Sequence, residues 1–313
     1  MEIGERAQVL AEMVRNDVVE SVHHGHVVGL DPTGATAVRR GDPQVRLFAR
    51  SSLKPVQAVA MLRAGLDLDA ELLALACASH SGEDAHLDGV ARILAGAGLV
   101  ESALQNTPDL PLDATAARRA AGPSSLRQNC SGKHAGMLAT CVAAGWDPAT
   151  YRDPDHPLQR AIRTGVGELT GDDPAPVAVD GCGAPLFSCT LAGLARAFAT
   201  IATAGPGTPE GRVAEAIRRH PWWLGGTGRT VTRLVEGVPG LVAKDGAEGV
   251  FAAALPDGRA VAVKVLDGSA RPVPVVVAAT LRALGVDAPV LDEVGRVDVL
   301  GHGTPVGEVR AAA

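Results

Sequence analysis

Apolar positions in this chain fall into short strand-like runs near both ends and longer helical runs in the middle. Residues 11–45 read as a meander of strands. Val18-Val19 and Val27-Val28 flank a polar stretch, Asp31-Pro32-Thr33-Gly34 has the composition of a tight turn, and Ala37-Val38-Arg39-Arg40 follows. His23, His24 and His26 sit in the polar stretch at near strand spacing. They are expected as surface strand residues rather than ligands, with His24 and His26 on one face. Residues 56–62 predict an apolar helix ended by Gly65, with Pro55 in its first turn, where no amide donor is required. Residues 70–78 predict a buried apolar segment that runs into Ser79-His80-Ser81-Gly82-Glu83-Asp84. Ser81 to Asp84 matches a capping box ahead of a helix near 86–97.

Residues 101–127 predict loops and short helices. Helices follow at 135–144, 158–169, 186–203 and 209–219, with a short strand at 176–179. Strands are expected at 240–243, 250–255 and 260–266, with Pro256-Asp257-Gly258 as a hairpin turn, then a helix near 273–284 and strand-like pieces to the end. The sum is an α/β (α+β) chain with a mostly antiparallel sheet from both chain ends and a helical middle region. It reads as a single domain over 1–313, without repeats or a linker.

Composition narrows the partners. With 46% hydrophobic and 20% charged residues, the 313-residue chain is globular. A net charge of −6 argues against nucleic acid or an anionic membrane, and 3% aromatics leaves few stacking platforms for bases. No apolar run approaches a membrane span. Met1-Glu2-Ile3-Gly4-Glu5-Arg6 lacks the basic-then-apolar order of a signal peptide. Five cysteines (Cys77, Cys130, Cys141, Cys182, Cys189), an odd number without such a signal, read as reduced thiols in the cytoplasm, some of them candidate metal ligands.

Four stretches carry reactive types. Ser51 and Lys54 are three apart, the spacing that puts a nucleophile and its base on one helical face. A helix start at this point would favour loss of the serine proton and oxyanion binding. Ser79 and His80 sit at the mouth of a buried segment, which a cap at Ser81 does not explain. Lys244-Asp245-Gly246 follows a strand. The order Ser-x-x-Lys, serine loop, Lys-x-Gly is that of serine β-lactamases, but Ser79-His80-Ser81 stands where those enzymes have Ser-Asp-Asn, and Asp245 replaces a threonine. Cys130 and Cys182 could hold a zinc ion, with His134, Asp180 or a neutral Lys133 completing the site; the alternative is two small buried residues. Gly225-Gly226-Thr227-Gly228-Arg229 is glycine-rich but lacks the spacing of a phosphate loop and a preceding strand.

Arg50-Ser51-Ser52-Leu53-Lys54-Pro55, Cys77-Ala78-Ser79-His80-Ser81-Gly82-Glu83-Asp84, Asn129-Cys130-Ser131-Gly132-Lys133-His134 and Asp180-Gly181-Cys182 resemble the Rhizobium-type L-asparaginases, the asparaginase II family. Gly226-Thr227-Gly228-Arg229 and Lys244-x-Gly246 also fit, and the blocks keep the family order over most of the chain. The resemblance implies a serine-β-lactamase-like fold, a homodimer, and hydrolysis of L-asparagine to aspartate and ammonia. It implies two Ser–Lys pairs, Ser51 with Lys54 and Ser79 with Lys244, and a zinc site of Cys130, Lys133 and Cys182 that supports substrate binding more than the chemical step.

In an acyl-enzyme route Ser51 attacks, Lys54 is the base, and Ser79 with Lys244 passes the proton to ammonia; Ser79 is the other candidate nucleophile. His80 joins the substrate-binding set. Asp180 or Glu83 is a candidate for the α-ammonium, and Arg50 or Arg229 for the α-carboxylate. Two alternatives stand beside this reading. One is a β-lactamase or peptidase on the same scaffold; the other is a non-catalytic protein binding zinc or an amino acid.

Overall fold

The computed structural model describes residues 3–312. Met1, Glu2 and Ala313, which belong to the N-terminal reading and to the 1–313 span above, lie outside the described residues. The chain divides into two compact units. One takes the residues up to Ser52, Ser188–Thr203 and those from Arg233 onward; the other takes Leu53–Phe187 and Ala204–Thr232.

The first unit is built on an antiparallel sheet whose strands come from both ends of the sequence, as its apolar pattern predicts. The strands run in the order Val297–Gly301, Thr304–Ala311, Gln8–Arg15, Val18–Leu30, Ala260–Val265, Val250–Ala254, Val242–Gly246, with Thr36–Arg40 also on Val18–Leu30. Val250–Ala254 and Ala260–Val265 are buried at every position, which is why they read as continuous apolar runs rather than alternating ones. Helices Leu191–Thr203 and Val273–Ala283 pack against these central strands and cover them. Asp257 and Gly258 turn the hairpin between them; Gly258 has a φ of 96°.

The N-terminal meander forms as expected, but one of its three histidines, His26, does not stay at the surface. His26 is buried, accepting from the Asp42 amide at Nδ1 (2.9 Å) and donating from Nε2 to the Ile3 carbonyl (2.7 Å), while His24 is exposed. Burial changes along the Val18–Leu30 strand: it is mostly exposed up to His24 and buried from Gly25 onward.

Residues 186–203 are a second correction. Pro185–Thr190 is a strand and the helix begins at Leu191. All six strand residues are buried, and a short buried strand cannot be told from a helix by periodicity. Thr190 carries the boundary signal: its hydroxyl accepts from the Gly193 amide at 2.9 Å, an N-terminal cap.

The second unit is helical. Lys54–Arg63 is buried at nine consecutive positions from Lys54 to Leu62, with Pro55 in the first turn as predicted. It packs on Ser131–Ala144, Pro157–Thr170 and Pro209–Arg219. Ala70–Ala76 is capped by the Asp69 carboxylate, which accepts from the Leu72 amide at 3.1 Å. Among the described residues no helix is long and apolar enough to cross a membrane.

Candidate active site

Lys54 is the first residue of its helix, preceded by the 3₁₀ turn Arg50–Leu53. The residue is about 1% exposed, and its amine is satisfied by three acceptors. It donates to the Ala78 carbonyl, to Ser79 Oγ at 3.2 Å and to Cys130 Sγ at 3.2 Å. Burial of an amine without such partners would be costly. The partners arrive from two directions. Ala78 and Ser79 follow the end of helix Ala70–Ala76, and Cys130 precedes helix Ser131–Ala144. Gly132 permits this convergence, because a Cβ there would lie 2.3 Å from the Leu75 carbonyl oxygen. That explains the small residue in the Cys-Ser-Gly-Lys stretch.

Ser51 lies in the first unit. Its turn begins at Arg50, whose φ of 52° puts a non-glycine residue in the left-handed region. Strain of this kind persists only where surrounding structure enforces it. Here Ser52 donates to the Lys244 carbonyl at 3.2 Å, and a Cβ on Gly246 would meet the Ala49 oxygen at 2.7 Å. The structure thus seats the Ser51 turn against the strand end Lys244–Gly246. The Lys244 amine is fully buried and ion-paired with the Asp245 carboxylate, the residue that departs from the β-lactamase pattern. Arg50 lies 3.8 Å from Glu248, also left-handed with a φ of 61°. Ser52, absent from the sequence-based set, is legible only from the backbone it fastens.

Cys130, Cys182 and Ala184 form a buried cluster. Lys133 donates to Cys182 Sγ at 3.1 Å, and Cys182 in turn lies 3.8 Å from Asp180 Oδ2. The Cys130 thiol is held well below its ordinary range, chiefly by the hydrogen bond from Cys182 and, against the cost of burial, by the amines of Lys54 and Lys133. Cys182, the donor in that pair, is pushed up. Burial alone would lower the Lys133 amine, but Cys182, Cys130 and Asp180 outweigh it and hold the amine above its ordinary value. All five cysteines are free thiols. Among the described residues no group of three or more His, Cys, Asp or Glu is arranged to hold a metal. Two adjacent thiols, one already favoured as thiolate, are a donor set that fits a soft cation such as zinc, and the Lys133 amine joins them as a ligand only on losing its proton. His134 has its Nδ1 bonded to the Tyr151 hydroxyl at 2.7 Å, and its buried Nε2 has no hydrogen-bond partner among the described residues.

The remaining expected residues divide. His80 is buried, and burial holds its imidazole well below the usual range. Ser131 gives its own proton to the Leu126 carbonyl (2.7 Å), so its oxygen accepts from His80 Nε2 at 2.9 Å. His80 Nδ1 is then a bare acceptor without a partner among the described residues. Asp180 is half-buried in a turn, with Oδ1 accepting from the Gly181 amide at 2.9 Å. Arg229 is half-buried two residues beyond Thr227.

The capping box does not form. Glu83 is the N-cap of helix Asp84–Gly96 without a side-chain cap bond, and Ser81 donates to the Glu83 carboxylate instead, at 2.6 Å. A turn at Gly82, with a φ of 77°, points both side chains the same way.

Arranged in this way, the helical unit offers a buried amine in contact with a serine hydroxyl, beside two thiols. A lysine–serine contact of this kind can move a proton to and from a serine. The family model described as L-asparaginase II matches residues 11–311. No curated protein matches the sequence. Among solved structures the chain is similar to a β-lactamase from Mycobacterium bovis, at 15% identity and a TM-score of 0.47, covering 83% of this chain and 94% of that one. It is also similar to Mglu in its native form, at 16% identity and a TM-score of 0.45. There it covers 82% of this chain and 63% of the other, a little under two thirds of that chain's length.

Proposed function

Because the chain belongs to the L-asparaginase II family, we propose that this amidohydrolase converts L-asparagine to L-aspartate and ammonia by a Ser–Lys route. The observation that carries the proposal is the hydrogen bond between the buried Lys54 Nζ and Ser79 Oγ at 3.2 Å.

In this reading Ser51 attacks the side-chain amide carbon as Lys54, three residues on, takes its proton. The C–O bond forms, the carbonyl π electrons move to oxygen, and backbone amides at the helix start receive the oxyanion. The proton on Lys54 passes through Ser79 to the amide nitrogen, which leaves as ammonia and gives an aspartyl ester. Water then attacks the ester by the reverse proton path and frees Ser51. Lys244 is the second lysine of the set and supports the relay by its charge. Asp180 takes the α-ammonium and Arg50 or Arg229 the α-carboxylate, with His80 in the substrate-binding set.

Cys130, Lys133 and Cys182 would hold zinc, which when bound supplies a fixed positive charge for substrate binding. The same resemblance extends the proposal to a homodimer, and the free cysteines extend it to the cytoplasm.

Ammonia release from L-asparagine and L-glutamine, with and without a chelator, tests the function. Turnover of asparagine is the expected result. Hydrolysis of a chromogenic β-lactam without ammonia release from asparagine would overturn it.

A further inference from the structure

The residues used in the proposed mechanism leave out a network joining Ser81, Glu83, Trp222 and Thr227. Its frame is backbone. The Ser79 amide donates to the Leu224 carbonyl at 3.2 Å and the Ser81 amide to the Gly225 carbonyl at 2.8 Å. The serine segment and the start of the glycine-rich loop are therefore zipped together.

Side chains close the zip. The Glu83 carboxylate accepts from the Ser81 hydroxyl (2.6 Å), the Thr227 amide (2.9 Å) and the Thr227 hydroxyl (2.8 Å). Thr227 Oγ1, its proton given to Glu83, accepts the Trp222 indole N–H at 3.0 Å. A carboxylate has about four lone-pair positions, and three of these are taken. Burial pushes the Glu83 carboxyl up, but the bonds from Ser81 and Thr227 outweigh it and hold it below the usual range, hence ionised.

Gly226 lies between these groups with a φ of 121°, and a Cβ there would stand 1.8 Å from Ser81 Oγ. Only glycine lets the loop close this far. Trp222 is held in turn by stacking on His86, ring centroids 4.0 Å apart, and His86 stacks on His80 at 5.3 Å.

We propose that Glu83 is a positioning residue: its carboxylate latches the Gly226-Thr227-Gly228 loop onto the Ser79–Ser81 segment and so sets the reach of Arg229 toward the substrate α-carboxylate. It does not grip the α-ammonium. The inference deepens the asparagine reading and rests on it. The latch gives Ser81-Gly82-Glu83 and Gly226-Thr227 complementary parts: the Glu83 carboxylate takes the hydroxyl protons of Ser81 and Thr227, and Gly226 leaves room for the contact.

Glu83→Gln preserves size but replaces one acceptor oxygen with a donor. Ammonia release is measured on L-asparagine and on succinamic acid, which is asparagine without the α-amino group. The latch predicts that Glu83→Gln raises KM about tenfold or more for both substrates, the loss expected for a charge-assisted hydrogen bond. It predicts kcat within a few-fold of wild type, and a Glu83→Gln/Thr227→Val double variant no worse than the single one. A KM increase confined to asparagine would overturn the proposal and return Glu83 to the ammonium. So would a fall in kcat with KM unchanged, as a loss of folded protein gives.

A second readout does not depend on activity. Trypsin cleavage after Arg229 is expected to run at least about tenfold faster in Glu83→Gln than in wild type, since loosened loops are nicked first. An unchanged cleavage rate would overturn the latch. Absence of asparagine turnover in the wild type would overturn the function while leaving this cleavage test intact.

Discussion

Lys54 places its amine 3.2 Å from the hydroxyl of Ser79, twenty-five residues along the chain, and the same amine reaches Cys130 at 3.2 Å. One amine thus joins a serine of the proposed relay to a thiol of the proposed metal site. Lys54→Met keeps the apolar stem and removes the amine. It should lower ammonia release from asparagine by about 100-fold or more, the range for a lost general base, while the protein still unfolds cooperatively. Turnover within a few-fold of wild type would show that Lys54 is structural.

The thiol pair makes a prediction about metal. Added zinc should raise the melting temperature, by the equivalent of about 2.7 kcal/mol at a hundredfold excess over Kd. A chelator should reverse the shift, and Cys182→Ser should abolish it. With metal removed, KM for asparagine should rise more than kcat falls. Equal zinc stabilisation of wild type and Cys182→Ser would contradict a site at Cys130, Lys133 and Cys182.

His80 and His86 predict acid sensitivity. Each carries a buried Nδ1 with no partner among the described residues, and burial lowers both imidazoles from the ordinary value. The unfolded chain therefore takes up protons below about pH 6.5 that the folded chain refuses. Stability present above that pH is lost as pH falls from about 6.5 toward the lower folded values, with a slope of up to about 1.4 kcal/mol per pH unit for each histidine. Urea midpoints should drop between pH 7.5 and 5.0, and His86→Gln should flatten the drop. A wild-type midpoint that does not change over this range would contradict the assignment.

Much of the fold was legible because the physics is local. Pro55 can stand only in a first helical turn, Asp257-Gly258 is a hairpin turn, and the apolar runs at the two ends could be paired as a sheet. The strand Pro185–Thr190 was not legible, since a fully buried run carries no period; only the cap at Thr190 separates it from the helix that follows.

In the site, the residue types were legible and their partners were not. Sequence spacing pairs Ser51 with Lys54, whereas the lysine's partner Ser79 and the fastening of Lys244 by Ser52 depend on long-range packing. The Ser81 hydroxyl shows the same limit: its spacing to Asp84 spells a cap, and the nearby Glu83 carboxylate takes the bond instead.

The most direct test of the account is steady-state ammonia release from L-asparagine by wild type and Ser51→Ala, both checked for cooperative unfolding. The account predicts turnover by the wild type and a loss of at least about 100-fold in the variant. A Ser51→Ala protein with near-normal turnover would contradict it.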